Sequence, residues 1–156
     1  WSVFFAMRSV LQRVAYASVS VDGRVTGEIQ TGIVALVSVE AGDTETDARY
    51  IADKIAGVRF FNDADDKMNL SVKDVGGSVL VISQFTLHGD CRRGRRPSFI
   101  LSARPETALP LYELVVHHLH EVELLNVATG VFGARMTVNI VNEGPVTLLL
   151  DSRRLF

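Results

Sequence analysis

Two short segments hold residue types that could do chemistry together. Asn142-Glu143-Gly144-Pro145-Val146-Thr147 interrupts two strand-like runs, residues 136–141 and 146–151. Proline brings no backbone N–H, and glycine has no Cβ to shield its carbonyl. A Gly-Pro pair among β-branched residues therefore presents backbone acceptors that a sheet ladder need not satisfy, suited to a small cation such as an ammonium group. The plainer reading is a hairpin turn. The second segment is Ser83-Gln84-Phe85-Thr86-Leu87, at the end of a strongly apolar run. In an extended chain Gln84, Thr86 and His88 share one face, and polar groups at a strand end can line a pocket.

Both segments need a scaffold. The chain has 156 residues, 47% of them hydrophobic, enough for one domain with a proper core. Its formal net charge is −2, so no global basic field draws it to nucleic acid. A single cysteine, Cys91, excludes an internal disulfide and suits a reducing, cytoplasmic setting. No apolar run approaches a membrane span, and the start at residues 1–6 reads as an extension, with Met7 a plausible natural beginning.

Alternation from Val10 to Val21 marks a strand, and Asp22-Gly23 a hairpin into residues 24–29. Residues 33–39 and 78–87 read as strands buried on both faces. Thr44 and Asp47 have capping-box spacing ahead of the stripe Ala48, Ile51, Ala52, Ile55, and Gly57 stands where that helix would stop. Pro105 opens a second helix with Leu111, Leu114, Val115, His118, Leu119 and Val122 at helical spacing. Hairpin-linked strands with two isolated helices predict an α+β domain over residues 7–156, its largely antiparallel sheet curled toward a barrel.

Taken together, the two segments resemble the D-aminoacyl-tRNA deacylases. Gln12-Arg13-Val14, residues 67–72, Gly94-Arg95-Arg96-Pro97-Ser98-Phe99 and Phe132-Gly133-Ala134 also match that family's pattern, so the resemblance runs from Met7 to about Ser152. It implies a homodimeric enzyme, without cofactor or metal, that hydrolyses the ester between a D-amino acid and the 3′ end of tRNA and also removes glycine from mischarged tRNA. It implies further that the bond between Gly144 and Pro145 is cis, that each subunit inserts this pair into its partner's pocket, and that Arg13 holds its orientation. Ammonium capture by the two carbonyls would then exclude L side chains while tolerating D side chains and glycine.

Thr86 is the obvious nucleophile, but a threonine hydroxyl needs a positioned base. His88 is the nearest candidate, though the family pattern does not call for it. Positioning, backbone N–H groups near Phe85 and the ribose 2′-OH form the alternative route. Gln84 and Ser83 are pocket candidates. Arg92, Arg93, Arg95 and Arg96 flank Gly94 just after the motif and offer a local site for tRNA phosphates. His117, His118 and His120 read as surface or packing residues, Cys91 as unreactive, and Asp63, Asp65 and Asp66 lack the glycine and glutamate of a calcium loop. The rival from another class is a non-catalytic nucleic-acid-binding protein of the same fold.

Overall fold

The computed structural model describes residues 6–156. Strand β1 (Arg8–Val21) is the hub of the sheet. One edge pairs antiparallel with β3 (Gly32–Ser38) along its first half and with β2 (Arg24–Ile29) along its second; the other edge pairs antiparallel with β8 (Thr137–Asp151). Beyond β3 lie β6 (Ser78–Ser83) and β7 (Asn126–Thr129), both parallel to their neighbours. The sheet curls until β2 approaches β7. Gly27 permits that approach, because a Cβ there would lie 2.5 Å from the Thr129 carbonyl oxygen. The result is an α+β fold with a nearly closed, barrel-like sheet.

The sheet is largely antiparallel, as expected, with two parallel pairings added on either side of β6. Helix α1 (Glu45–Gly57) and the small hairpin of β4 (Phe61–Asn62) and β5 (Met68–Leu70) connect β3 to its parallel neighbour β6. Helix α2 (Pro105–His117) connects β6 to its parallel neighbour β7. Both helices are thus crossovers of the kind parallel strands require. Asp22 and Gly23 make the expected hairpin turn, both with positive φ (51° and 77°), as a type I′ turn demands.

Burial explains the continuous apolar runs. Ile33, Ala35 and Val37 of β3, with Val79 and Val81 of β6, face the helices. Val34, Leu80 and Ile82 point the other way, into the barrel beside Val14, Ala17 and Val19. Helix α1 docks through Ala48, Ile51, Ala52 and Ile55, the stripe its spacing predicts. Its start is fixed by the Asp47 carboxylate, which accepts the Thr44 N–H at 2.8 Å. Helix α2 runs on into one π-helical turn, His118–Val122, where Leu119 is buried but Val122 is exposed. Of the expected N-terminal extension, residues 1–5 lie outside the described residues. Ala6 is buried, its N–H donating to Glu40 Oε2 at 2.5 Å.

Candidate active site

Strand β6 ends at Ser83, one position before the chemistry-bearing side chains. Gln84 turns the chain and residues Phe85–His88 form a 3₁₀ turn. The extended reading of this stretch is therefore wrong at its end, and with it the shared face of Gln84, Thr86 and His88. Thr86 projects outward and is exposed, whereas His88 is 1% exposed and points into the fold. His88 cannot serve Thr86 as a base: Nε2 bonds the Ala6 carbonyl at 2.7 Å and Nδ1 the Ser38 hydroxyl at 2.5 Å. Burial depresses its pKa below the usual imidazole value, against the pull of the nearby Asp151 carboxylate.

Among the described residues the side-chain partner of the Thr86 hydroxyl is the Gln84 amide, donating at 2.5 Å. No histidine or carboxylate among the described residues is bonded to it. The first N–H groups of the turn, those of Phe85 and Thr86, have no acceptor within it. The Phe85 carbonyl instead accepts from Ser102 Oγ at 3.0 Å, with Ser38 Oγ 3.1 Å away. A cavity of about 580 Å³ opens beside this turn, lined among others by Ser83, Gln84, Phe85, Phe99, Arg104 and Phe132. The Phe85 ring is 56% exposed at its mouth and meets Phe99 edge-on, ring centroids 5.4 Å apart. An apolar hollow with a few convergent polar groups and N–H donors not used within the turn suits an acyl or ester group.

Gly144 and Pro145 are not a hairpin. They lie inside β8, which runs on past them. Gln12 pairs with Thr147 and Val14 with Asn142, so Arg13 alone on β1 stands opposite Glu143, Gly144, Pro145 and Val146, which bulge away from the ladder. The Gly144–Pro145 peptide is cis, and both residues are exposed. Arg13 fills the space behind the bulge: its Nε donates to the Glu143 carbonyl at 3.1 Å and Nη1 to the Phe60 carbonyl at 3.1 Å. The structure joins Arg13 to Glu143, the residue before Gly144. It does not bring the Gly-Pro segment to the Ser83–Phe85 cavity of the same chain, whose lining includes neither Gly144 nor Pro145.

The four arginines leave the fold together. Asp90 and Ser98 form a bridge, and residues 91–97 between them are exposed, with Gly94 at φ 67°. Arg92 folds back onto Asp90, with Nε at 2.9 Å and Nη2 at 2.8 Å, which holds the Asp90 carboxyl well below the usual range. Arg93, Arg95 and Arg96 make no salt bridge among the described residues. Cys91 is an exposed free thiol in this loop. Sequence reading missed one cluster: His118 Nε2 lies 2.8 Å from Asp53 Oδ1 and 3.8 Å from Glu123 Oε1. The π turn sets His118 and Glu123 on one side, and the Lys73 ammonium already sits on Glu123. No helix among the described residues is long and apolar enough to cross a membrane.

The barrel-like sheet, the motif turn beside a cavity and the Gly-Pro bulge define a class, and comparison with known proteins agrees. Residues 10–151 match the D-Tyr-tRNA(Tyr) deacylase family. The D-aminoacyl-tRNA deacylase of Halalkalibacterium halodurans is 56% identical over 94% of this chain and all of its own. That of Koribacter versatilis is 55% identical over 96% of this chain and all of its own. Among solved structures, c-Myc DNA Unwinding Element Binding Protein superposes with a TM-score of 0.85 at 36% identity, covering 92% of this chain and 97% of that one. A probable eukaryotic D-amino acid tRNA deacylase shares the fold, with a TM-score of 0.81 at 17% identity. The chain belongs to the D-Tyr-tRNA(Tyr) deacylase family.

Proposed function

We propose that this protein hydrolyses the ester bond of D-aminoacyl-tRNA, releasing free D-amino acid and tRNA, and that it also clears glycine mischarged on tRNA. The observation that carries the reading is the motif turn: Gln84 and Phe85 line a cavity, Thr86 follows them in the turn bonded to Gln84, and the chain matches the family almost end to end. Water attacks the ester carbonyl, the C–O bond to the ribose breaks, and the ribose oxygen leaves with a proton. The neighbouring ribose 2′-OH and the N–H groups of Phe85 and Thr86 stabilise the developing oxyanion. Thr86 and Gln84 orient the substrate, and Ser83 lines the pocket.

Chiral selection falls to Gly144 and Pro145 of a second copy of the chain in a cytoplasmic homodimer. The exposed bulge supports this, since it lies apart from its own cavity and is stiffened from behind by Arg13. With the substrate ammonium on the two carbonyls, an L side chain is driven into them, while a D side chain or a hydrogen is not. Arg93, Arg95 and Arg96 reach the acceptor-end phosphates, with Arg92 held to Asp90. The competing reading, a nucleic-acid-binding protein without catalysis, is favoured by the name of the DNA unwinding element relative. Incubation with D-tyrosyl-, L-tyrosyl- and glycyl-tRNA separates the two. Release from the D and glycyl substrates alone is expected, and no release from any of them would establish the binder.

A further inference from the structure

The Phe85 carbonyl and the Thr86 N–H are the two ends of one peptide unit. Three side chains gather at the carbonyl end. Ser102 Oγ donates to Phe85 O at 3.0 Å, Ser38 Oγ lies 3.1 Å from the same oxygen, and Ser38 Oγ is also 2.5 Å from His88 Nδ1. Ser38 has only one hydroxyl hydrogen for these two acceptors. The Ala6 carbonyl can only accept, so His88 Nε2 carries a hydrogen toward it, across 2.7 Å. In the neutral ring Nδ1 is then a bare lone pair, and the short contact takes the Ser38 hydrogen. Burial favours this neutral form and outweighs the Ala6 hydrogen bond, with the Arg8 charge helping and Asp151 opposing. Phe85 O is left with Ser102 as its one hydroxyl donor.

We propose that Ser102 is a positioning residue for the oxyanion-binding N–H of Thr86, and that His88 holds Ser38 out of that role. A hydrogen bond to a peptide carbonyl polarises the whole unit and strengthens its N–H as a donor. Ser102 thus acts on the substrate through the Phe85–Thr86 peptide, whose carbonyl it holds. His88 decides whether a second donor joins it: removing the imidazole acceptor frees the Ser38 hydrogen for Phe85 O. The proposal rests on the deacylase reading for its catalytic consequence, and on geometry alone for its effect on the Thr86 amide.

The test uses the full chain with D-tyrosyl-tRNA as probe, and amide NMR of Thr86. Ser102→Ala is expected to lower kcat by roughly three- to tenfold, the worth of one hydrogen bond, with KM unchanged. The Thr86 amide proton should shift upfield, and Ser102→Thr should restore both readouts. The double variant His88→Leu/Ser102→Ala should be faster than Ser102→Ala alone, because Ser38 then takes over. Equal kcat for Ser102→Ala and wild type, an unmoved Thr86 amide, or losses that simply accumulate in the double variant would each overturn the proposal. If the wild-type protein releases nothing from D-tyrosyl-tRNA, the deacylase reading fails, while the amide shift still decides whether Ser102 polarises this peptide.

Discussion

Arg13 is bonded to Glu143 twice, Nε donating to its backbone carbonyl at 3.1 Å and lying 2.7 Å from its carboxylate Oε2. The same guanidinium, 5% exposed, also donates through Nη1 to the Phe60 carbonyl and to Asn62 Oδ1. Only a rigid fork of donors serves acceptors on two sides at once. Lysine in its place leaves at least one buried carbonyl unpaired, so Arg13→Lys is expected to destabilise by about 1–3 kcal/mol in urea unfolding. It should also raise release from L-tyrosyl-tRNA relative to D, because the bulge behind Gly144 loses its brace. Unchanged selectivity would detach Arg13 from the Gly-Pro segment's function.

Gly144 has φ +122°, and a Cβ there would lie 2.9 Å from Arg13 Nη2 and 2.9 Å from Val146 Cγ2. Gly144→Ala should therefore cost about 1–3 kcal/mol of stability through backbone strain. Deacylation should fall further than stability alone explains, since the carbonyls are re-aimed. Gly57, at the end of α1 with nothing within 4 Å of an added Cβ, is the control. Gly57→Ala is expected to be neutral or to stabilise by about 0.4–1 kcal/mol. Equal melting temperatures for the two variants would show that the bulge tolerates a side chain.

Much of the scaffold is legible in the sequence, because its signals are local. The Asp22-Gly23 turn, the Thr44/Asp47 cap and the α1 stripe each fit within a few residues, and they form as their spacing predicts. The parallel pairings were not legible, since β3 and β6 are separated by α1 and a small hairpin that no strand pattern spans. Residues 142–147 read as a turn because bulge and turn share the same glycine–proline signature. What distinguishes them is the pairing of both flanks with β1, a non-local fact. His88 was misplaced by one assumption, that β6 extends past Ser83; the 3₁₀ turn rotates it inward. Asp53, His118 and Glu123 meet only once α1 and α2 pack.

The arginine loop yields a prediction in salt. Arg92 is neutralised by Asp90, so reversing it disturbs the loop more than the RNA contact. Arg93 and Arg95 are the cleaner probes. Arg93→Glu/Arg95→Glu should raise KM for aminoacyl-tRNA with little change in kcat. The slope of log(kcat/KM) against log salt should flatten by about one per lost phosphate contact. A slope equal to wild type would remove this loop from the tRNA interface.

Asp43 supplies a pH-dependent test of the fold beneath the site. Its Oδ2 accepts the Glu40 N–H at 2.7 Å, while the buried Oδ1 has no hydrogen-bond partner among the described residues. Burial pushes its pKa up to about 7 from an ordinary 3.8 against the Glu40 N–H bond, with the Asp47 and Glu40 charges adding to the rise and Arg153 opposing it. In the folded state the carboxyl therefore keeps its proton over a range in which the unfolded chain has lost it. The associated stability is fully present below pH 3.8 and is lost as pH rises through 7. Asparagine keeps an acceptor for Glu40 and never ionises. The difference in melting temperature, Asp43→Asn minus wild type, should accordingly grow more positive between pH 5 and pH 8, measured by calorimetry at fixed ionic strength. A difference that stays flat across that range would mean that Asp43 is ionised throughout, and that the Glu40–Asp43 corner is hydrated.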